Sequence, residues 1–257
     1  MRVFVPFLYI AVLLGSTPVQ AQAPAPLDEA LAKIARDRGH WAYTQTEIIR
    51  NEKGAVLYEG VVRYDPSKPY AEQFVPLELD QRAPKRSDFE RYREQGERIG
   101  RRLEKAESAG HPPPGQSLAD LVDIDHALVA AEDGATITYE VPLRADNNRR
   151  FPPDKFRVLA LVDKAHHTLG HVSVHLRSAY RLVMILKVKS GELDVDFSPV
   201  DPRFSPPMTG LRGDGTLSVL FLNLRRIGEI KRTDFKRVTP YGERFNVQIG
   251  PVKALDF

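Results

Sequence analysis

The 257-residue chain contains no cysteine. Disulfides, thiolate metal sites, a cysteine nucleophile and lipid attachment at an N-terminal cysteine are all excluded. A one-signed charge is missing as well. Thirty-seven basic residues stand against 34 acidic ones, mixed along the chain, and the formal net charge is only +3. Such a balance offers no basic face to a nucleic acid. No G-x-S-x-G elbow, no S-x-x-K paired with further β-lactamase motifs, no H-E-x-x-H and no P-loop occurs. The familiar hydrolase and nucleotide-binding signatures are thus absent. No catalytic residue, resident metal or cofactor is implied.

Long hydrophobic runs are lacking too, with one exception. Val3 to Gly15 is almost wholly apolar behind Met1-Arg2, and Val19-Gln20-Ala21 follows with small residues at the right spacing. About a dozen apolar residues fall short of the ~20 needed to span a bilayer. This arrangement predicts an export signal over residues 1–21, cut after Ala21. Residues 22–257 are expected to form one soluble domain with a helical insertion at about 87–125. Export without cysteine suits a Gram-negative periplasm better than a disulfide-rich secreted setting.

Periodicity supplies the elements. Leu27, Ala30, Leu31 and Ile34 recur at helical spacing and Gly39 is placed to end that helix. Trp41 to Ile49 and Val56 to Tyr64 read as strands joined by the polar loop Asn51-Glu52-Lys53-Gly54. Tyr70 to Leu79 reads as a third strand, with Pro76 demanding a bulge or an edge. Ser87 to Ala109 is dense in Arg and Glu, with a narrow stripe of Phe89, Tyr92, Ile99 and Leu103 and a capping box at Ser87 and Glu90. A short helical turn is expected from Ser117.

Thereafter the pattern is β. Ile137, Tyr139 and Val141 alternate with polar residues, and Phe156 to Val162 suits a central strand covered on both faces. Ser190-Gly191 between Leu182–Val188 and Leu193–Phe197 reads as a hairpin turn, as does Arg212-Gly213-Asp214-Gly215. Leu217 to Leu224 reads as a hydrophobic strand, and Phe245, Val247 and Ile249 alternate near the C-terminus. The expectation is a mainly β (α+β) fold. It comprises a single curved antiparallel sheet or half-open barrel of about eleven strands, with helices over the concave face.

Four of the seven histidines crowd into HHTLGHVSVH, residues 166–175. His166 and His167 fall in a turn. Val172, Val174 and Leu176 point to one face of the following strand, and His171, Ser173, His175 and Arg177 to the other. His171 and His175 are then ~13 Å apart along an extended strand, too far to share one ion on ligand bonds near ~2.1 Å. Asp123 with Asp125, and Asp194 with Asp196, are acidic pairs that an outward polar face explains. Leu182, Met184, Leu186, Leu220, Leu222 and Leu224 are an apolar excess. An ordinary core would absorb it, and so would an apolar cavity under an incomplete lid.

The opening helix, three strands ending near RYDPSKPYAEQFVPLELD, inserted helices, a long antiparallel run and LSVLFLNLRRIGEIKRTDFKRVTP at 217–240 together resemble the LolA/LolB-like lipoprotein-localisation superfamily. That resemblance implies a half-barrel whose concave apolar face holds lipoprotein acyl chains or other lipids. The expected function is a non-enzymatic periplasmic carrier. Val172, Val174, Leu176, Leu182, Met184, Leu186, Leu220 and Leu222 are its candidate ligand-binding residues. Two alternatives stay open. One is an interaction protein that docks an envelope partner through the charged helix, with Arg98 and Arg101 as contacts. The other is a metal-dependent enzyme near His166–His175.

Overall fold

A computed structural model describes residues 23–37, 39–108, 118–144, 152–183, 186–219 and 222–245. The predicted signal segment and the alternation at Val247 and Ile249 lie outside these. Helix α1 (Ala25–Asp37) leads into β1 (Trp41–Asn51), β2 (Val56–Tyr64) and β3 (Phe74–Leu79). Helix α2 (Arg86–Ser108) and the short α3 (Leu118–Leu121) follow. Then come β4 (Leu128–Glu132), β5 (Thr136–Glu140), β6 (Phe156–Asp163), β7 (Thr168–Leu176), β8 (Tyr180–Val183), β9 (Leu186–Phe197), β10 (Met208–Val219) and β11 (Leu222–Arg237).

These strands form one antiparallel sheet in the order β3-β2-β1-β11-β10-β9-β7-β6-β5-β4, with β8 also paired to β9. The sheet is curved and does not close, so β3 and β4 are its two edges. Directly paired residues share a face, and the register therefore traces the inner surface across nine strands. One row runs Tyr139, Ala160, Val172, Val195, Leu211, Ile230, Glu47, Gly60, Leu79.

Helix α1 covers only part of this inner surface. Its Leu27, Ala30 and Leu31 pack with Val122, Tyr139, Val141, Val158, Ala160, Val162, Leu169 and Val172 into the buried core. Gly39 takes φ +81° just past the helix, a left-handed conformation that glycine adopts without a Cβ penalty. The histidine turn helps seat α1. Lys33 Nζ donates to the His166 carbonyl at 2.6 Å, and His167 Nδ1 meets Glu29 Oε2 at 2.8 Å.

Several expectations are corrected. Helix α2 begins at Arg86, so Ser87 is inside it rather than at its cap; the Asp88 carboxylate instead accepts the Lys85 backbone N–H at 2.9 Å and the Arg82 guanidinium at 2.8 Å. The third strand starts at Phe74, because Tyr70–Glu72 folds into a 3₁₀ turn. Strand β6 is third from an edge rather than central. Its inward Val158, Ala160 and Val162 are buried, while Leu159 and Leu161 on the outer face are only partly covered. Ser190-Gly191 and Arg212-Gly213-Asp214-Gly215 are not turns: both lie inside long paired strands. Leu217 to Leu224 is not one strand, since Leu217 pairs with Leu224 and Val219 with Leu222 across a hairpin.

Helix α2 roofs only the β2–β3 end of the inner face, where its Tyr92 hydroxyl lies 3.2 Å from that of Tyr58. It packs on β3 and on the Tyr70–Glu72 turn. The close contact falls at Gly96 and Gly100, both buried, where a Cβ on Gly96 would overlap the Tyr70 carbonyl oxygen. Helix propensity favours alanine over glycine by ~1 kcal/mol, but overpacking against a backbone oxygen costs about 1–3 kcal/mol. Gly96→Ala is therefore expected to lower stability by about 1 kcal/mol and to loosen α2, read as a lower urea midpoint and faster amide exchange along α2. A gain in stability would mean that the helix slides freely on the turn.

Candidate functional site

Beyond the reach of α1, the inner face of β9, β10 and β11 is short of side chains. One row there runs Val158, Val174, Leu193, Gly213, Gly228. The next pairs Gly191 with Gly215 and Gly215 with Arg226, and another runs Val188, Leu217, Leu224. Four glycines thus lie together on adjacent strands. None is forced by crowding. A Cβ on Gly213 would sit 3.7 Å from Leu193 Cδ1, one on Gly215 would sit 3.8 Å from a backbone oxygen, and one on Gly228 would meet nothing within 4 Å. Glycine interrupts a strand at some cost. Here its consequence is a lowered floor.

Over that floor lies an apolar cavity of about 770 Å³. Val158, Val172, Val174, Val188, Leu193 and Val195 form one wall, with Leu217 and Leu224 at one end. Leu121 and Val122 close it from the segment that carries α3, together with Leu143, which is bridged to Val122 from beyond β5. The volume lies within the range of roughly 300–1,000 Å³ usual for small-ligand sites. Arg226 stands on its rim, exposed, with its Nη1 donating to the Arg225 carbonyl at 3.0 Å. Leu217 at 38% and Leu224 at 41% exposure show that the cavity is open to solvent at that end.

The sequence-selected residues are distributed around this site. Val172 and Val174 line the cavity. Leu176 is paired with Phe156, a cavity residue, but borders a smaller recess beside His175, Glu192, Asp214 and Arg225. Leu182 is on β8, half-exposed. Leu186 and Leu222 are at the ends of β9 and β11, while Met184 and Leu220 lie outside the described residues. Sequence reasoning missed the glycine floor, because Gly191, Gly213 and Gly215 had been read as turns. The available signal was their even spacing, which keeps Gly213 and Gly215 on one face of a strand.

His171 and His175 stand on the outer face of β7 beside carboxylates of β9, whereas His166 and His126 pair with acids in turns. His171 Nδ1 meets Asp196 Oδ1 at 2.8 Å and its Nε2 lies 3.4 Å from Asp194 Oδ1. His175 pairs with Glu192 at 3.1 Å, His166 with Asp163 at 3.0 Å and His126 with Asp123 at 2.9 Å. Among the described residues no three His, Asp or Glu side chains converge on one point. Arg98 and Arg101 are exposed on α2 and lie 3.9 Å from Glu94 and 3.7 Å from Glu97. Arg86 pairs with Glu90 and Arg93 with Glu97 on the same helix. The helix thus neutralises its own charge, one turn at a time.

A second recess, about 460 Å³, opens on the inner face between the C-terminal end of α1, the 205–208 loop and strands β1, β2 and β11. Tyr43, Tyr64 and Phe74 stack in sequence across β1, β2 and β3, with ring centroids 5.1 and 4.9 Å apart. Burial raises the Tyr43 hydroxyl and pushes that of Tyr64 up to about 12. Arg232 lies over the Tyr43 ring at 4.2 Å, and its Nε donates to Gln45 Oε1 at 3.0 Å.

The arrangement defines a class: an open, curved antiparallel sheet with an apolar cleft on its inner face and no converging catalytic groups among the described residues. Comparison with known proteins goes little further. No family model matches the chain and no curated protein does. Among solved structures, a DUF1329 family protein from Desulfovibrio piger is similar at a TM-score of 0.35 and 11% identity, covering 83% of this chain and 92% of that one.

Proposed function

We propose that this protein is a periplasmic, non-enzymatic carrier or binding protein for an apolar ligand, a lipid or the acyl chains of a lipoprotein. The observation that carries the reading is the apolar cavity of about 770 Å³ floored by Gly191, Gly213 and Gly215. Apolar residues that fold to fill space would pack to the density of an organic crystal. Here leucines and valines face an opening instead, on a floor where side chains would fit without collision. The resemblance of the element order to the LolA/LolB-like superfamily supports the same reading, and so does the apolar N-terminal segment, read as an export signal. No described helix is long and apolar enough to cross a membrane.

Purification under mild conditions, solvent extraction and mass spectrometry test the proposal directly, together with titration of an environment-sensitive apolar dye. Co-purified lipid, or saturable dye binding displaced by fatty acids, is the expected result. Protein that is lipid-free from every preparation and binds no dye would rule the carrier out.

A further inference from the structure

The second recess has an excess of hydrogen-bond donors. Arg232, half-buried there, has no carboxylate within 4 Å among the described residues, and its Nε–Gln45 bond is its one hydrogen bond to them. Every other arginine that reaches well into the structure and stacks on aromatic rings is matched: Arg237, over Phe204 at 4.2 Å, is held by Asp37 at 2.6 Å. The hydroxyls of Tyr43 and Tyr64 line the same recess and make no hydrogen bond to a described residue. Trp41 lines it too, is only 7% exposed, and its indole Nε1 is buried without an acceptor. Asp37, the recess's one acid, is occupied by Arg237 and by the Ser205 amide at 2.8 Å.

Burial without a counter-charge is costly for a cation, and a stacked ring returns only part of the lost hydration. The tyrosine hydroxyls are held protonated well above neutral pH, so they enter as donors. Arg226 at the rim of the apolar cavity also has no carboxylate within 4 Å among the described residues, but it is exposed, where an arginine without an ion pair is ordinary. The withdrawn cation and the unused donors around it are what distinguish the recess.

We propose that this recess binds an anionic oxygen group, a carboxylate or phosphate. Arg232 would supply the charge, Tyr43 and Tyr64 the flanking hydrogen bonds, and the Phe74 and Phe235 rings the walls. Two sources fit that chemistry: a free anion, or the headgroup of an amphiphile lying in the inner trough. In the second case the geometry is favourable. Gly228 lies four residues from Arg232 on β11, ~13 Å along an extended strand, so a chain anchored at Arg232 runs towards the glycine floor. Only this second source rests on the carrier reading.

The test uses the full mature chain, with wild type, Arg232→Gln, Tyr64→Phe, Arg226→Gln and Gly213→Leu compared. Calorimetry with inorganic phosphate probes the free anion. Dye displacement by palmitate and by the uncharged 1-hexadecanol probes the headgroup. A free-anion site predicts phosphate binding that falls about tenfold or more in Arg232→Gln, falls less in Tyr64→Phe, and persists in Gly213→Leu. A headgroup site predicts palmitate displacing dye at about tenfold lower concentration than 1-hexadecanol, with Arg232→Gln erasing that preference. Tyr64→Phe, which leaves the charge and the ring in place, guards against mistaking misfolding for lost binding. The inference is overturned if Arg232→Gln changes neither phosphate binding nor the palmitate preference, or if the preference vanishes only in Arg226→Gln. In those cases 1-hexadecanol still displacing dye leaves the carrier reading standing. Failure of every amphiphile removes that reading, while the phosphate measurement still decides the recess.

Discussion

Gly213→Leu is expected to weaken binding of an apolar dye or fatty acid by more than tenfold while leaving the protein as stable as before, or slightly more so. The two effects have separate causes. A leucine Cβ at this position would meet Leu193 Cδ1 at 3.7 Å, an ordinary contact, and the backbone there is not in a left-handed conformation. Strand preference and lower chain entropy both favour replacing the glycine, by up to ~1 kcal/mol. Beyond Cβ, the side chain extends into the cavity between Val174, Leu193 and Leu217 and occupies the space a ligand would take. Dye titration and urea unfolding on the same preparation check both halves. Unchanged dye affinity in a well-folded Gly213→Leu protein would move the binding site elsewhere. Gly228→Ala, on the same row, provides a smaller version of the change, expected to weaken binding less.

Asp37→Ala is expected to cost about 3 kcal/mol of stability at neutral pH, the scale for leaving a largely buried partner charge uncompensated. An aspartate is disfavoured at the C-terminal end of a helix, where the dipole repels it. Its place at the last residue of α1 is explained by tertiary contacts. It accepts the Ser205 amide at 2.8 Å and the Arg237 guanidinium at 2.6 Å, so it ties α1 to the 198–207 connection and to β11. Arg237 in turn stacks on Phe204 and Trp41. Without the carboxylate it would be left enclosed by rings, with Nη1 already unpartnered.

The same contact has a pH signature. Burial works against the charged form of Asp37, but the Ser205 and Arg237 hydrogen bonds overcome it and hold the carboxyl below its ordinary value. A carboxyl depressed in the native state contributes its full stability above the unfolded-chain pKa, ~3.9. It loses that contribution as pH falls through the lower native value. The gap between wild type and Asp37→Ala in urea unfolding should therefore be full at pH 7 and should shrink below about pH 4. A gap that is constant down to pH 2 would assign the loss to packing rather than to charge. Asp37→Asn, which retains an acceptor for the Ser205 amide, should lose less than Asp37→Ala.

Much of the local structure follows from the sequence alone. The spacing of Leu27, Ala30, Leu31 and Ile34 with Gly39 behind them determines α1, because one apolar stripe and one left-handed stop leave little choice. The Asn51–Gly54 loop determines the β1–β2 hairpin in the same way, the Asn51 side chain accepting the Lys53 and Ala55 amides at 3.0 Å. Alternation placed Val172 and Val174 inward and His171 and His175 outward, and the pairing of both histidines with acids on β9 agrees. The antiparallel arrangement was also legible, and the count of about eleven strands agrees with the structure, although two of the turns that delimited them lie mid-strand.

Glycine is where local reading failed. Asp214-Gly215 and Ser190-Gly191 have the composition of hairpin turns, yet they sit mid-strand on β10 and β9. A glycine that permits a sharp reversal and one that leaves a gap in a wall are the same residue to a short window. Only cross-strand register separates them, by bringing Gly191, Gly213, Gly215 and Gly228 together from three strands. The donor-rich recess was illegible for the same reason: Trp41, Tyr43, Tyr64 and Arg232 are drawn together by pairing between the first strands and the last. The sequence by itself determined α1, the body of α2 and the first two strands, because those choices depend on neighbours along the chain. The tertiary structure alone decided where the surface is hollow and which cation lacks a partner, because both depend on what the fold brings alongside.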